Sequence, residues 1–212
     1  MGGERHSGLK WGCCNVRYSW RSRNPRVIHS GCKRTCPNAG VLTIQVNADG
    51  CCLNNGRPEA RGGVGVYFWD NFPYNVAKSL PNSPYQVHTN QRAEITAAIT
   101  AIQQCRQACF HTITDDVFTG DIGSFRGPRI DIELYMDSKY VVDAMEDWRH
   151  TWKANGWRTS KRERVTNMDL FLELDELVDD LEESNVVVKF EHVPREQNLE
   201  ADALSRQGAS QV

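Results

Sequence analysis

Two segments of the chain alternate strictly between apolar and polar residues, and each is followed by an aspartate. Leu42 to Ala48 precedes Asp49, and Ile130 to Met136 precedes Asp137. Such alternation predicts a β-strand with one apolar and one polar face. Between them, Gln91 to Cys109 carries isoleucine and alanine at helical spacing. If this helix crosses over the sheet, the two strands are parallel neighbours and both aspartates lie at the same edge.

The remaining segments predict a mixed sheet. Two short strands follow the first strand closely enough to form an antiparallel meander with it. Residues 111–129 combine glycine and proline with no periodicity and are predicted to form a loop. The fold class is therefore α/β, a five-stranded mixed sheet in the order β-β-β-α-β-α-α-β-α with helices on its faces. The other predicted strands are Gly62 to Phe68, Asn75 to Leu80 and Val186 to Val193, and the other predicted helices are 138–154, 166–184 and Asn198 to Gln207.

Basic residues are concentrated at the start of the chain. Residues 1–40 hold eight Lys or Arg and one acid, whereas the other 172 residues hold 17 basic and 26 acidic residues. Because residues 1–40 also lack any strand or helix period, we expect a basic, flexible arm at 1–40 and a folded domain at 41–212. Such an arm can contact nucleic acid or another anionic surface, and a solvated or targeting tail is the alternative.

The composition argues against membrane and secreted proteins. No apolar stretch approaches the roughly 18 residues of a membrane span, and no apolar signal region follows Met1. We therefore expect an intracellular protein without a membrane partner, with nucleus, cytoplasm and mitochondrion left open. The eight cysteines come in pairs whose spacing matches no common zinc site, so reduced thiols are expected.

Four carboxylates are candidates for one ion-binding site. Asp49 and Asp137 follow the two alternating segments, Glu94 lies at the start of the helix between them, and Asp202 lies in the last helix. Carboxylates at close range repel, so one must take a proton or a cation must join them. All-oxygen clusters favour hard ions such as Mg²⁺ or Mn²⁺. Taken singly, each acid is better explained as a cap or turn residue.

The residues around these acids favour one shared site over separate cap or turn roles. Six motifs in order resemble those of type 1 ribonuclease H, in particular the eukaryotic cellular enzymes, over about residues 41–208. The resemblance implies a ribonuclease H-like fold. The motifs are N-A-D-G-C-C-L-N-N-G at 47–56, G-V-G-V-Y at 63–67, T-N-Q-R-A-E at 89–94, Y-M-D-S-K-Y at 135–140, N-G-W at 155–157 and E-A-D-A-L at 200–204.

The resemblance also implies a reaction. The family hydrolyses the RNA strand of RNA–DNA hybrids and leaves 5′-phosphate and 3′-OH ends. Asp49, Glu94, Asp137 and Asp202 match its catalytic carboxylates, which hold two Mg²⁺ ions, with Mn²⁺ as a substitute. By resemblance, Asp49 bridges the two ions and Glu94 approaches the 2′-OH beside the cut. An RNA–DNA hybrid is then the partner, no small-molecule cofactor is implied, and a monomer is expected.

Further residues match the family's substrate contacts. Asparagine and glutamine both donate and accept hydrogen bonds, which suits contacts with 2′-OH groups in a minor groove. Thr89 and Asn155 match a pocket for a DNA-strand phosphate. Residues 147–166, rich in basic residues and tryptophan, resemble the family's basic substrate-binding segment. The residues matched to nucleic-acid binding are Asn55, Thr89, Asn90, Gln91, Asn155 and Trp157. Turn, cap and packing roles are the alternatives.

The segment before Asp202 departs from the family pattern. Relatives carry a mobile histidine on a loop there, but His192-Val193-Pro194 matches the end of a strand, and the following loop is shorter. We therefore expect His192 to close the strand, with the catalytic histidine missing. Its spacing of ten residues from Asp202 makes a catalytic His192 the alternative. This departure motivates a second hypothesis, a catalytically weak or inactive hybrid-binding module on the same fold. The intact set of four carboxylates favours the nuclease.

Overall fold

The structure is a computed structural model that describes residues 10–11, 41–81, 88–114 and 129–211. Its strands are β1 (Lys10–Trp11), β2 (Val41–Leu53), β3 (Arg61–Tyr67), β4 (Val76–Ser79), β5 (Arg129–Met136) and β6 (Val186–His192). Its α-helices are α1 (Asn90–Thr114), α2 (Lys139–Asp143), α3 (Arg149–Asn155), α4 (Met168–Glu183) and α5 (Leu199–Ala209). A π-helical turn, Ala144–Trp148, joins α2 to α3, and a 3₁₀ turn, Arg195–Gln197, precedes α5.

The strands form one mixed sheet in the order β4-β3-β2-β5-β6, with β1 paired to β2. β2 is antiparallel to β3 and parallel to β5, and β5 is parallel to β6. This confirms the predicted five-stranded mixed sheet and adds a two-residue strand from the predicted arm. The rest of residues 1–40 lies outside the described residues, so the division at residue 40 stays a prediction.

Register brings the two aspartates to one edge of the sheet. The parallel pairing ends with Asn47 opposite Tyr135, and Asp49 and Asp137 each lie two residues further on. Asp49 does not end its strand as the alternation suggested. β2 changes partner at this point, and its second half pairs with β3, Asp49 lying opposite Gly65. Asp49 is therefore placed where the parallel pairing stops and the antiparallel pairing continues.

Other element bounds differ modestly from the prediction. α1 continues to Thr114, so the predicted loop at 111–129 begins later, and its residues 115–128 lie outside the described part of the chain. The helix predicted over 138–154 is interrupted by the π-helical turn. No helix in the described residues is long and apolar enough to cross a membrane.

Helices cover both faces of β2. Gly50 faces α1 and its neighbour Asp49 faces α5, because successive residues of a strand point to opposite faces. A Cβ on Gly50 would lie 2.0 Å from the carbonyl carbon of Ala93, and one on Gly65 would lie 2.1 Å from the carbonyl oxygen of Ala201. Only glycine allows such an approach of helix backbone to strand backbone. The two contacts set the distances of α1 and α5 from the sheet.

Candidate active site

Asp49 is the most buried of the four predicted carboxylates. Asp49 lies on β2 and is only 7% exposed. The Ser205 hydroxyl on α5 donates a hydrogen bond to its Oδ2 at 2.6 Å. Burial raises the pKa of Asp49 to about 6, the Ser205 hydrogen bond opposes this shift, and the charges of Asp137 and Asp202 add to it. Asp49 is therefore a desolvated carboxylate in a field of negative charge, a setting that favours a bound cation.

Glu94 is the predicted carboxylate on the first helix, and the charge of Asp49 acts on it. It lies one turn into α1, and the Ser138 hydroxyl donates to its Oε2 at 2.6 Å. Burial raises the pKa of Glu94, the Ser138 hydrogen bond lowers it, and the charges of Asp49 and Asp137 raise it. The close contact between α1 and Gly50 places the carboxylate next to the strand that carries Asp49.

Asp137 follows β5 directly and is held by a residue that sequence reasoning missed. The fully buried Asn198 donates from Nδ2 to Asp137 Oδ1 and to the Ala48 carbonyl, both at 3.0 Å. Its Oδ1 accepts a hydrogen bond from Asn47 at 3.1 Å. One amide thus ties the start of α5 to β2 and to the end of β5. In the sequence, Asn198 was visible only as the first residue of the predicted last helix.

Asp202 is paired with two arginines. Arg195 on the 3₁₀ turn contacts its Oδ1, and Arg206, one helical turn further along α5, donates to its Oδ2 at 2.9 Å. Burial raises the pKa of Asp202, but hydrogen bonds from Arg206 and Arg195 hold that pKa below its usual value. Asp202 therefore differs from Asp49 and Glu94 in having cationic partners within the chain.

Negative charge from neighbouring carboxylates acts on Asp49 and on Glu94. Asp49 is influenced by Asp137 and Asp202, and Glu94 by Asp49 and Asp137. The donor set is entirely oxygen, which fits a hard divalent ion. Within the described ranges, however, no three acidic, histidine or cysteine side chains are arranged tightly enough to hold an ion. Each carboxylate instead accepts a hydrogen bond from the chain: Asp49 from Ser205, Glu94 from Ser138, Asp137 from Asn198 and Asp202 from Arg206.

The start of α1 brings several predicted substrate residues together. The Asn55 side chain accepts a hydrogen bond from the Asn90 backbone N–H at 3.4 Å, and Asn90 donates to Glu94 Oε1 at 3.4 Å. Thr89 Oγ1 accepts from the Arg92 N–H at 3.3 Å, so Thr89 caps the start of α1. Gln91 is exposed beside them. These side chains form a polar edge that adjoins the carboxylates.

Trp157 lies in a basic loop at residues 156–167, and Asn155, the last residue of α3, directly precedes this loop. The Asn155 side chain accepts from the Arg158 N–H and donates to the Arg158 carbonyl, both at 2.9 Å, and so closes the turn. Trp157 is half-buried, with its ring centroid 5.9 Å from that of Trp152. Both residues shape the loop, and their predicted contacts with nucleic acid stay predictions.

The basic residues of 147–166 divide into two groups. Arg149 is 5% exposed and pairs with Asp175 at 3.4 Å, and Lys153 pairs with the same carboxylate at 3.1 Å. These two cations therefore join α3 to α4. The cations of the basic loop are exposed and form no ion pair with a carboxylate among the described residues: Arg158, Lys161, Arg162 and Arg164.

His192 lies where the strand hypothesis places it. It is the last residue of β6, is exposed, and pairs in register with Met136. The next residue, Val193, donates its N–H to the Met136 carbonyl at 2.9 Å. The strand end thus lies beside Asp137, and the catalytic role of His192 is left to experiment.

Fold and site together define an α/β protein with a carboxylate centre at the edge of a mixed sheet. The family model described as RNase H matches residues 43–210. The chain is 36% identical to Ribonuclease H1 of Mus musculus over 173 residues, 80% of this chain and 51% of the mouse protein. It is 34% identical to Ribonuclease H of Methylobacillus flagellatus over 169 residues, 80% of this chain and 93% of the bacterial protein. The chain therefore belongs to the ribonuclease H family, and it spans about half the length of its mammalian relative.

Solved structures agree on the fold. LC9-RNase H1, a type 1 RNase H with the type 2 active-site motif, matches with a TM-score of 0.53 and 27% identity, covering 79% of this chain and 72% of that chain. A foamy viral protease-reverse transcriptase in complex with RNA/DNA hybrid matches with a TM-score of 0.53 at 17% identity, covering 79% of this chain and 20% of that chain. These matches confirm the predicted ribonuclease H-like fold.

Proposed function

We propose that this protein is an endoribonuclease that hydrolyses the RNA strand of RNA–DNA hybrids and leaves 5′-phosphate and 3′-OH ends. The observation that supports the proposal is that Asp49 is influenced by the charges of Asp137 and Asp202, and Glu94 by those of Asp49 and Asp137, each within its family motif. Burial and mutual repulsion raise the pKa of Asp49 to about 6, which indicates a site built for positive charge.

We infer that these four carboxylates hold two divalent ions, Mg²⁺ with Mn²⁺ as a substitute. Bound ions supply positive charge at the attacking and leaving oxygens of the phosphodiester. The chain contributes the placement of the carboxylates. Gly50 and Gly65 bring α1 and α5 against the sheet, and Asn198 orients Asp137. No small-molecule cofactor is part of the proposal.

The polar edge at the start of α1 would bind the hybrid beside the carboxylates. Asn55, Asn90 and Gln91 supply donors and acceptors for the minor groove and its 2′-OH groups, by which a protein distinguishes RNA from DNA. Thr89 and Asn155 would face a DNA-strand phosphate. The exposed cations of the basic loop would neutralise further phosphates without reading sequence.

We further propose that residues 1–40 act as a basic arm beside a ribonuclease H domain at 41–212. The excess of basic over acidic residues in this segment would add phosphate contacts. The protein would act inside the cell as a monomer, in a compartment to be determined by localisation experiments.

The alternative is a weak or inactive hybrid-binding module, and one observation favours it. Asp202 is paired with Arg195 and Arg206, so a metal ion would have to displace one of these arginines or share the carboxylate with them. Together with a shortened loop that lacks the family's histidine, as the sequence predicts, this contact would slow a reaction without removing the binding surface. The complete carboxylate set favours the nuclease.

Cleavage of end-labelled duplexes tests the proposal. The full chain is incubated with an RNA–DNA hybrid, an RNA–RNA duplex and a DNA–DNA duplex of the same sequence, with Mg²⁺ or with EDTA. We expect cleavage of the RNA strand of the hybrid alone, and only with Mg²⁺. Hybrid binding without cleavage would establish the binding module instead, and cleavage of either control duplex would refute hybrid specificity.

A further inference from the structure

Ser205 touches the site and belongs to none of the family motifs in the sequence. It lies on α5 and is completely buried. Its hydroxyl oxygen is 2.6 Å from Asp49 Oδ2 and 2.9 Å from the backbone carbonyl oxygen of Asp202. Both neighbours are hydrogen-bond acceptors.

A serine hydroxyl carries a single hydrogen, so it donates to one of these acceptors at a time. Asp49 is the nearer acceptor and carries a negative charge, and charge-assisted hydrogen bonds are the shorter and stronger ones. The hydrogen therefore points to Asp49. The Asp202 carbonyl is a second acceptor that keeps the hydroxyl satisfied when the carboxylate oxygen engages another partner.

The contact fixes the orientation of the carboxylate. The terminal torsion of an aspartate is broad, so an unanchored carboxylate can rotate. Ser205 is itself rigidly placed, because a Cβ on Gly65 would lie 2.5 Å from the Ser205 backbone nitrogen, and α5 therefore packs directly on β3. The hydroxyl thus connects a fixed helix to the most buried carboxylate of the site.

We propose that Ser205 is a positioning residue that orients Asp49 for divalent-ion binding. The inference rests on the proposed function, since it assumes that Asp49 is an ion ligand. A serine directly after the same helix provides the contrast: Ser210 donates to the Arg206 carbonyl at 2.9 Å, is exposed, and forms no hydrogen bond to a carboxylate among the described residues. Ser210→Ala is therefore the matched control.

Mn²⁺ binding to the ion-free full chain measures this role without substrate. Free Mn²⁺ is followed by electron paramagnetic resonance during titration of the wild type, Ser205→Ala and Ser210→Ala. Losing a hydrogen bond to a charged group predicts a dissociation constant about tenfold higher for Ser205→Ala. Ser210→Ala should stay within about twofold of the wild type. Equal affinities for the two variants would overturn the proposal.

Two further results separate the possible failures. If the wild type binds no Mn²⁺, the proposed ion site itself is wrong and the role of Ser205 is lost with it. If the wild type binds Mn²⁺ and Ser205→Ala binds it equally well, only the role of Ser205 is refuted. Ser205→Cys keeps the side-chain shape with a much weaker donor. It should also weaken binding, and wild-type affinity in a folded Ser205→Cys protein would count against the proposal even if Ser205→Ala does not fold.

Discussion

Gly50→Ala should damage the active site through α1. The added Cβ would lie 2.0 Å from the Ala93 carbonyl carbon and 2.3 Å from the Glu94 nitrogen, whereas ordinary contact begins at 3.4 Å. Both atoms belong to the backbone, so no side-chain rotation can relieve the clash. The difference between 3.4 Å and 2.0 Å requires the helix and strand to separate by about 1.4 Å.

That displacement acts on Glu94 directly. Catalytic groups must be held within about 0.5 Å of their productive positions, and a misplacement of about 1 Å can cost roughly 100-fold in rate. We expect hybrid-cleavage turnover to fall by about two orders of magnitude, with a loss of about 1–3 kcal/mol in the free energy of unfolding from overpacking.

Gly62→Ala is the control for a glycine substitution in the same sheet. The three atoms nearest to its added Cβ would belong to the Leu80 side chain and not to backbone, the closest being Cδ1 at 2.6 Å. Turnover on a labelled hybrid and the melting temperature are measured for both variants. Near wild-type turnover in Gly50→Ala, or an equal loss in Gly62→Ala, would refute the argument that close approach of α1 sets the site.

Three further predictions concern pH, His192 and the arm. Because the folded-state pKa of Asp49 is raised from 3.8 to about 6, the folded ion-free protein keeps a proton that the unfolded chain has released. The stabilisation that this retained proton gives the folded state is therefore lost as pH rises through 6. The loss lowers the free energy of unfolding by up to about 2–3 kcal/mol. Thermal melting of the ion-free wild type at pH 5 and pH 7 checks the sign, and a contribution that grows with pH would contradict it. His192→Ala should leave the melting temperature nearly unchanged, since His192 is exposed, and should lower turnover only severalfold. A loss of about 100-fold or more in steady-state turnover would identify His192 as the catalytic histidine. Replacing the Arg residues of 12–40 by Gln should flatten the salt dependence of hybrid binding, measured by fluorescence anisotropy, and an unchanged slope would exclude phosphate contacts by these residues.

Alternation in the sequence was enough to predict β2 and β5 and to place their aspartates together. It failed to show that β2 continues beyond Asp49, because Gly50 and the following residues break the period. Their strand conformation depends on pairing with β3, which is a tertiary contact.

The partners of the carboxylates could not be predicted for the same reason. Ser205 and Asp49 lie 156 positions apart, and Asn198 and Asp137 lie 61 apart. A serine inside a helix and an asparagine before one are ordinary residues until the helix is docked. Likewise, only the docked α4 shows that Arg149 is paired with carboxylates, whereas Arg158 is exposed and donates to the Arg162 carbonyl.

The central claim is that the four carboxylates form an ion-dependent hydrolytic centre, and Asp49→Asn tests it most directly. The substitution removes one negative charge and almost no volume, so the fold should survive. Hybrid cleavage with Mg²⁺ and thermal melting at pH 7 without ions are measured on the same sample. We predict that cleavage falls to background while the melting temperature rises, because a buried, repelled carboxylate has become neutral. Near wild-type cleavage by a folded Asp49→Asn protein would contradict the account.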